Sequence, residues 1–198
     1  NSGANQTWNF TGLVTSSLDT IYFLDPATVP AAASISGVNL VTESNEGYFF
    51  LERNNSGVYT RGVASTFNGV PVLADYSPAQ GLLPFPSTLG DNFSSTSSFS
   101  TTVFLGLDTN ALGCQIQLDS IRLNRQSTLT TNFDAEGTVQ LPLENIQALR
   151  AYSVDASTDS IFIYAPNAVS CPPFINIPQG WSLMPDFLAQ SIGLPGGS

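Results

Sequence analysis

The stretch CQIQLDSIRLN (114–124) decides the fold class, because apolar and polar residues alternate along it as they do in a β-strand with one buried face. The apolar phase runs as far as Leu118 and resumes at Ile121. A period of two residues does not accommodate this odd step. The sequence therefore predicts a strand with a β-bulge or bend near residues 119–120.

Other strand-like runs lie on both sides of this stretch, separated by turns rich in Ser, Asn, Gly and Pro. They are GYFFLER (47–53), GVYTRGV (57–63), STTVFLGL (100–107), GTVQLPL (137–143), ALRAYSV (148–154) and DSIFIYA (159–165). The first two are joined by Asn-Asn-Ser and predict a hairpin. Only MPDFLAQSI (184–192) has helical spacing. We therefore predict an all-β protein, an antiparallel, jelly-roll-like β-sandwich with at most one short helix near the C-terminus.

Two segments lack strand periodicity. Residues 77–99 contain three prolines and predict a long crossover whose apolar side chains cover one end of the sandwich. Residues 166–198 are proline-rich and end in GLPGGS, which is typical of a linker. The sequence thus predicts a β-sandwich domain of residues 1–165 and a proline-rich extension of residues 166–198 that packs on the domain or on a neighbour.

The composition of the 198 residues disfavours many functions. The chain has no histidine, its five basic residues are all arginines, and its formal net charge is −10. Catalysis by a Ser-His-Asp triad or by a lysine nucleophile therefore has no candidate residues. Nucleic-acid binding is not expected, because phosphate contacts need a basic patch. No run approaches the roughly 20 apolar residues of a membrane span, so we predict a non-enzymatic protein without membrane insertion.

The two cysteines, Cys114 and Cys171, are the candidates for a disulfide. In the chain-entropy model a bridge over this separation stabilises the fold by about 4 kcal/mol. Two buried thiols are the alternative in a reducing compartment. We predict the disulfide for an extracellular protein.

Carboxylates are the only abundant ionisable groups, and a glycosidase needs two of them facing each other. The candidate pairs are Asp134 with Glu136 and Glu43 with Glu46. Solvated strand ends are the favoured interpretation of both pairs. Arg150 is predicted to form an ion pair with Asp134 or Glu136.

Residues 108–119 resemble part of a calcium-binding loop, with oxygen-bearing side chains at Asp108, Asn110 and Asp119. Leu112 occupies a ligand position, and strand-like residues replace the second half of the loop. A tight turn before a strand is therefore the favoured interpretation. No cofactor is predicted, and calcium held by loop carboxylates elsewhere is the alternative for so acidic a chain.

The aromatic side chains raise the question of sugar binding, because flat rings on an exposed sheet face stack against sugars. Trp8 and Trp181 are the candidate stacking residues. Core packing is the alternative, since Trp8 and Phe10 alternate with polar residues and most aromatic rings in sandwiches are buried.

Several blocks together resemble a largely uncharacterised group of secreted or surface proteins of Bacteroidota that carry a removable type IX secretion signal. They are GANQTWNFTGL (3–13), DTIYFLDPATVP (19–30), SNEGYFFLERNNSGVYTRGV (44–63), YSPAQGLLPFPSTLGDNFS (76–94) and FDAEGTVQLPLENIQALRAY (133–152). The resemblance covers roughly residues 3–165. It implies an extracellular or cell-surface location and a β-rich N-terminal module, and it implies no activity.

Three copies of Asp-Ser/Thr-aliphatic resemble the O-glycosylation acceptor pattern of the same bacteria. The acceptor hydroxyls would be those of Thr20, Ser120 and Ser160. Acceptors must be exposed to solvent, and the preceding Asp suits a bend before a strand. The alternative is that Asp-Ser and Asp-Thr commonly open strands and turns.

These observations predict an extracellular, non-enzymatic structural or adhesive module. Its partners would be copies of itself or other cell-surface components, because strands rich in Ser and Thr without lysine lack the usual guard against edge-to-edge pairing. A carbohydrate-binding module of a secreted degradative enzyme, with glycans as partners, is the alternative.

Overall fold

The computed structural model describes residues 2–14, 19–45, 47–67, 69–111, 114–171, 175–186 and 188. The predicted all-β, antiparallel sandwich-like fold class is confirmed. The strands are β1 (Gly3–Asn9), β2 (Tyr22–Leu24), β3 (Leu40–Ser44), β4 (Gly47–Asn54), β5 (Gly57–Phe67), β6 (Val70–Pro84), β7 (Asn92–Ala111), β8 (Cys114–Gln140), β9 (Asn145–Ala165), β10 (Val169–Cys171), β11 (Ile175–Ile177) and β12 (Gly180–Leu183). Two 3₁₀ turns, Pro26–Thr28 and Pro30–Ser34, separate β2 from β3. No helix in the described ranges has the length and apolarity that a membrane span requires.

Strands β2 to β6 form one antiparallel sheet in chain order, here called the N-terminal sheet. The predicted hairpin is confirmed as β4 and β5, which pair from Asn54 with Gly57 onward. The Asn54 side-chain oxygen accepts a hydrogen bond from the Ser56 N–H at 2.8 Å. This local bond favours the turn over continued strand pairing.

The second sheet, here called the long-strand sheet, is built around β8. β7 pairs antiparallel with the first part of one edge of β8, and β1 pairs parallel with the last part of the same edge. β9 pairs antiparallel with the other edge, and β12 adds to the far side of β9. β10 and β11 form a small sheet of their own that is not hydrogen-bonded to either of the two larger sheets.

The irregularity predicted near residues 119–120 is present, but the extra residue lies in the neighbouring strand. Pairing of β7 with β8 shifts between Phe104 opposite Ser120 and Leu107 opposite Leu118. β7 thus bulges at this level, while β8 continues as one strand. The buried side chains of β8 nevertheless move from even-numbered to odd-numbered positions at this level, because Leu118 and Ile121 are both buried.

The long crossover predicted for residues 77–99 is wrong. β6 continues to Pro84 and β7 begins at Asn92, so only residues 85–91 connect the two strands. The run of Ser and Thr in β7 has little hydrophobic alternation, and pairing with β8 along its whole length is what makes it a strand.

The two sheets meet where β6 approaches β7. The Ser95 hydroxyl accepts a hydrogen bond from the Gly81 N–H at 2.8 Å, and the Thr101 hydroxyl donates one to the Leu73 carbonyl at 2.9 Å. A Cβ at position 81 would overlap the Phe93 ring, so glycine is needed for this approach. A residue without a side chain therefore lets the two strands approach closely, and side-chain hydroxyl groups of β7 form hydrogen bonds with the backbone of β6.

Each sheet has its own buried cluster. The cluster of the long-strand sheet comprises Ile116, Leu118, Ile121, Ile163, Ala165, Ile177, Met184 and Leu188. The cluster of the N-terminal sheet comprises Val29, Ala32, Ile35, Val41 and Phe50. The first cluster includes three residues beyond position 165, so the described part of the proline-rich segment packs on the long-strand sheet.

The predicted disulfide falls outside the described side chains. The backbones of Cys114 and Cys171 lie in β8 and β10, whereas the placement of both side chains is not described. The bridge therefore stays a prediction.

Docking of β1 depends on the absence of a side chain at Gly137. A Cβ there would overlap the Gln6 carbonyl oxygen and lie 2.6 Å from the Gln6 nitrogen. Gly137→Ala should displace β1 and lower the free energy of unfolding by about 1–3 kcal/mol, as overpacking does. Urea unfolding measures this loss. Gly12→Ala is the control, because nothing lies within 4 Å of its added Cβ. Equal stability of the two variants would contradict the register of β1.

Candidate functional site

The outer edge of β9 is the first candidate surface. β9 is paired with β8 from Asn145 to Tyr164, but β12 covers only Phe162 to Ala165 on the opposite side. Of the described residues, none forms a strand along the rest of that side. We call the outer side of residues 145–160 the open edge.

The direction of the backbone groups along the open edge follows from one hydrogen bond. The Ile161 carbonyl accepts from the Met184 N–H at 2.8 Å, on the side away from β8. Successive residues of a strand point their N–H and C=O groups to opposite edges. The odd-numbered residues of β9, including Ser153, Asp155 and Ser157, therefore direct both groups outward.

Most side chains along the open edge are exposed, and several are apolar. Tyr152 and Val154 are 58% and 49% exposed. Of its three charged groups, Arg150 and Asp159 are each held in an ion pair within the chain, and the Asp155 carboxylate accepts a hydrogen bond from the Ser127 hydroxyl. The edge thus offers backbone hydrogen-bonding groups with little unpaired charge beside them.

Two bidentate ion pairs fix these charges across the β8–β9 ladder. Arg150 donates to Asp134 at 2.8 and 2.7 Å, which confirms the predicted partner of Arg150. Arg125 donates to the two carboxylate oxygens of Asp159 from Nε and from Nη2, each at 2.6 Å. The hydrogen bonds from each guanidinium hold the pKa of Asp134 and of Asp159 below the ordinary range. Neither carboxyl is therefore suited to act as a general acid at neutral pH.

The second candidate surface lies on one face of the long-strand sheet. The cross-strand register brings Arg122 beside Phe162, and Tyr164 beside Trp181. The Arg122 guanidinium carbon lies 5.1 Å from the Phe162 ring centre and 4.4 Å from the Trp181 ring centre. Tyr164 contacts Trp181 edge to face at 5.4 Å. We call these four residues the aromatic–arginine cluster.

A polar depression of about 840 Å³ adjoins the cluster at Arg122. Its lining includes Ser100, Asn124, Thr158 and Ser160. Ser100, Asn124 and Ser160 stand side by side in the register of β7, β8 and β9. The Ser100 hydroxyl donates to the Asn124 side-chain oxygen at 2.7 Å. Hydroxyl and amide groups therefore dominate this part of the face.

The two tryptophans proposed for sugar stacking do not share one platform. Trp8 pairs with Val139, near the end of β8, whereas Trp181 pairs with Tyr164, which lies opposite Ser120. These two levels of β8 are roughly 60 Å apart at about 3.3 Å per residue. Trp181 alone belongs to the aromatic–arginine cluster. Register between distant strands was the information that the sequence lacked.

The three candidate glycosylation sites differ in exposure. Thr20 is exposed just before β2, whereas Ser120 is 9% exposed in the first third of β8. Ser160 is partly buried in β9. Asp119 and Asp159 do not lie at a bend before a strand, because β8 and β9 run through them. Thr20 is the one that meets the requirement for solvent exposure.

The candidate acid pairs form no site that the structure describes. Asp134 is engaged by Arg150, and Glu136 is exposed. Glu43 interacts with Tyr48 and raises the Tyr48 pKa, while Glu46 lies outside the described residues.

The described residues of the calcium-like segment, 108–111 and 114–119, belong to the paired ends of β7 and β8, with Asp108 opposite Gln117. Within the described ranges no group of three or more His, Cys, Asp or Glu residues is placed to hold a metal ion.

No protein-family model, curated protein or solved structure matches this chain. The geometry of the two surfaces therefore carries the functional proposals.

Asp159→Asn tests the ion pair that borders the open edge. The lowered pKa of Asp159 means that its stabilisation is present above the ordinary value near 3.8 and is lost as the pH falls through the folded-state value. We expect the variant to be less stable than wild type at pH 7 and the difference to shrink below about pH 4. Urea unfolding from pH 7 to pH 3 measures both effects. Asp108→Asn removes an exposed acid as the control, and an identical pH dependence in wild type and Asp159→Asn would contradict the pairing.

Proposed function

We propose that this chain is a non-enzymatic structural module of a secreted or surface-attached protein and that it self-associates through the open edge of β9. The observation that carries the proposal is the length of β9 that, among the described residues, is paired with another strand on one side only. The resemblance to secreted Bacteroidota proteins supports an extracellular location. The ion-paired state of Asp134 and Asp159 supports a role other than acid–base catalysis.

The occupant of the open edge is the same strand of a second copy. An edge strand offers unpaired N–H and C=O groups to any added strand. Two copies of β9 related by a two-fold axis pair antiparallel, and each copy presents the same outward groups to the other. Each hydrogen bond contributes a net of about 0.5–1.5 kcal/mol, so a register of several residues is needed to offset the entropy lost on association.

The charge of the chain opposes this association. A net charge of −10 on each copy produces mutual repulsion at low ionic strength. At physiological salt the Debye length is about 8 Å, and repulsion between distant charges is largely screened. Self-association should therefore strengthen as salt is added, unlike an association held by opposite charges.

A proline on the open edge is the direct test. Ser157→Pro removes an outward N–H and places a ring at the edge, while the bonds from β8 to the neighbouring residues remain. In light scattering after gel filtration, the wild-type mass should rise with concentration towards twice 21.0 kDa or beyond. Ser157→Pro should stay monomeric, and Ser157→Ala should behave as wild type. A monomeric wild type at all concentrations and salt levels would contradict the proposal.

A second pair of variants protects this test against misfolding. Val154→Glu adds a negative charge to the exposed strand in both copies and should weaken association, whereas the neutral Val154→Gln should not. Circular dichroism verifies the fold of each variant. Unchanged association in both Ser157→Pro and Val154→Glu would place the interface elsewhere and overturn the assignment to β9.

A further inference from the structure

We propose that the polar depression beside the aromatic–arginine cluster binds a carboxylate-bearing saccharide, with Arg122 as the anchor for the carboxylate. This site is formed by side chains on one face of the long-strand sheet together with Asp75 and Ser77 of β6, and not by the outward backbone groups of the open edge. It therefore does not depend on self-association.

Arg122 differs from the other arginines of the long-strand sheet in its partners. Arg125 and Arg150 each form a bidentate ion pair, whereas Arg122 has no acidic partner among the described residues. Its Nε atom is buried and makes no hydrogen bond within the described ranges. The chain has fifteen acidic residues, yet none of the described ones pairs with Arg122. The Arg122 guanidinium is therefore positioned for an anion from outside the chain.

The stacking of Arg122 determines how an anion approaches. Phe162 and Trp181 lie beside the guanidinium and hold it through cation–π contacts. The N–H groups of a guanidinium lie in its plane, where a carboxylate is bound by two parallel hydrogen bonds. A stacked guanidinium is thus fixed in orientation before the ligand arrives, which lowers the entropy cost of binding.

The rest of the depression has the chemistry of a saccharide site. Its volume of about 840 Å³ lies within the range of about 300–1,000 Å³ for small-molecule pockets. Ser100, Asn124, Thr158 and Ser160 offer side chains that donate and accept hydrogen bonds, as sugar hydroxyls require. Trp181 is not part of this lining; it is 39% exposed and contacts both Arg122 and Tyr164, so it holds the guanidinium at the border of the depression.

Asp75 contributes a carboxylate to the site. This residue also lines the depression, together with Arg122. A carboxylate at position 75 accepts hydrogen bonds from sugar hydroxyls and repels an acid group. Two arginines line the depression, and Arg125 is paired with Asp159, so the acid group of the ligand is placed at Arg122. The net charge of −10 disfavours densely charged polymers, so a sugar with one carboxylate per residue fits better than a sulfated or phosphorylated chain.

The test uses trigalacturonate as the probe and the neutral galactose trisaccharide of the same length as its comparison. Titration calorimetry at physiological salt should show binding of trigalacturonate that is at least about tenfold tighter than that of the neutral sugar. Arg122→Gln should weaken trigalacturonate binding by about tenfold or more. Arg53→Gln removes the same charge from an exposed position on the N-terminal sheet and should leave binding unchanged.

Asn124→Ala provides a second variant if Arg122→Gln does not fold, because it leaves the aromatic–arginine cluster intact. It should weaken binding of trigalacturonate by several-fold. Equal binding of the acidic and neutral sugars would overturn the role of Arg122 as a carboxylate anchor. Binding of neither sugar, or equal loss in Arg122→Gln and Arg53→Gln, would overturn the site.

Discussion

The hydrogen-bonded ladder between β8 and β9 is the constraint on which the rest of the structure depends. It runs from Ser120 opposite Tyr164 to Gln140 opposite Asn145. The opposite edge of β8 is filled by β7 and β1, so β8 is a central strand over most of its length. β9 has a second edge as well, and the four residues of β12 cover only its end. An edge strand of this length is the direct consequence of the long ladder.

The same ladder places chemically different groups at different levels of one face. The register sets Arg122 beside Phe162 at one level and Asn124 beside Ser160 at the next. The aromatic–arginine cluster and the polar depression thus lie in contact although their residues come from distant parts of the chain. Two bidentate ion pairs across the ladder hold β9 to β8, while no described strand besides β12 pairs with its other edge.

Local alternation was sufficient to predict the fold class and the hairpin of β4 and β5, because these depend on neighbouring residues. It was not sufficient for β7. Phe93, Phe99 and Val103 all occupy odd-numbered positions and so share one face of the strand. The serines and threonines between them conceal this alternation in the sequence. Pairing with β8, a contact between distant residues, makes this segment a strand. The ion pair of Arg150 was predictable because its acid partner lies in an adjacent strand, whereas the contact of Arg122 with Trp181 depends on the position of β12.

Amide hydrogen exchange along β9 measures the central claim most directly, because it reads the two edges of one strand separately. At low protein concentration the even-numbered amides, which bond to β8, should be protected, and the odd-numbered amides of Ser153, Asp155 and Ser157 should exchange rapidly. At high concentration the odd-numbered amides should become protected as well. Protection of the odd-numbered amides at the lowest concentration, or rapid exchange at every concentration, would contradict an edge that is open in one copy and filled by another.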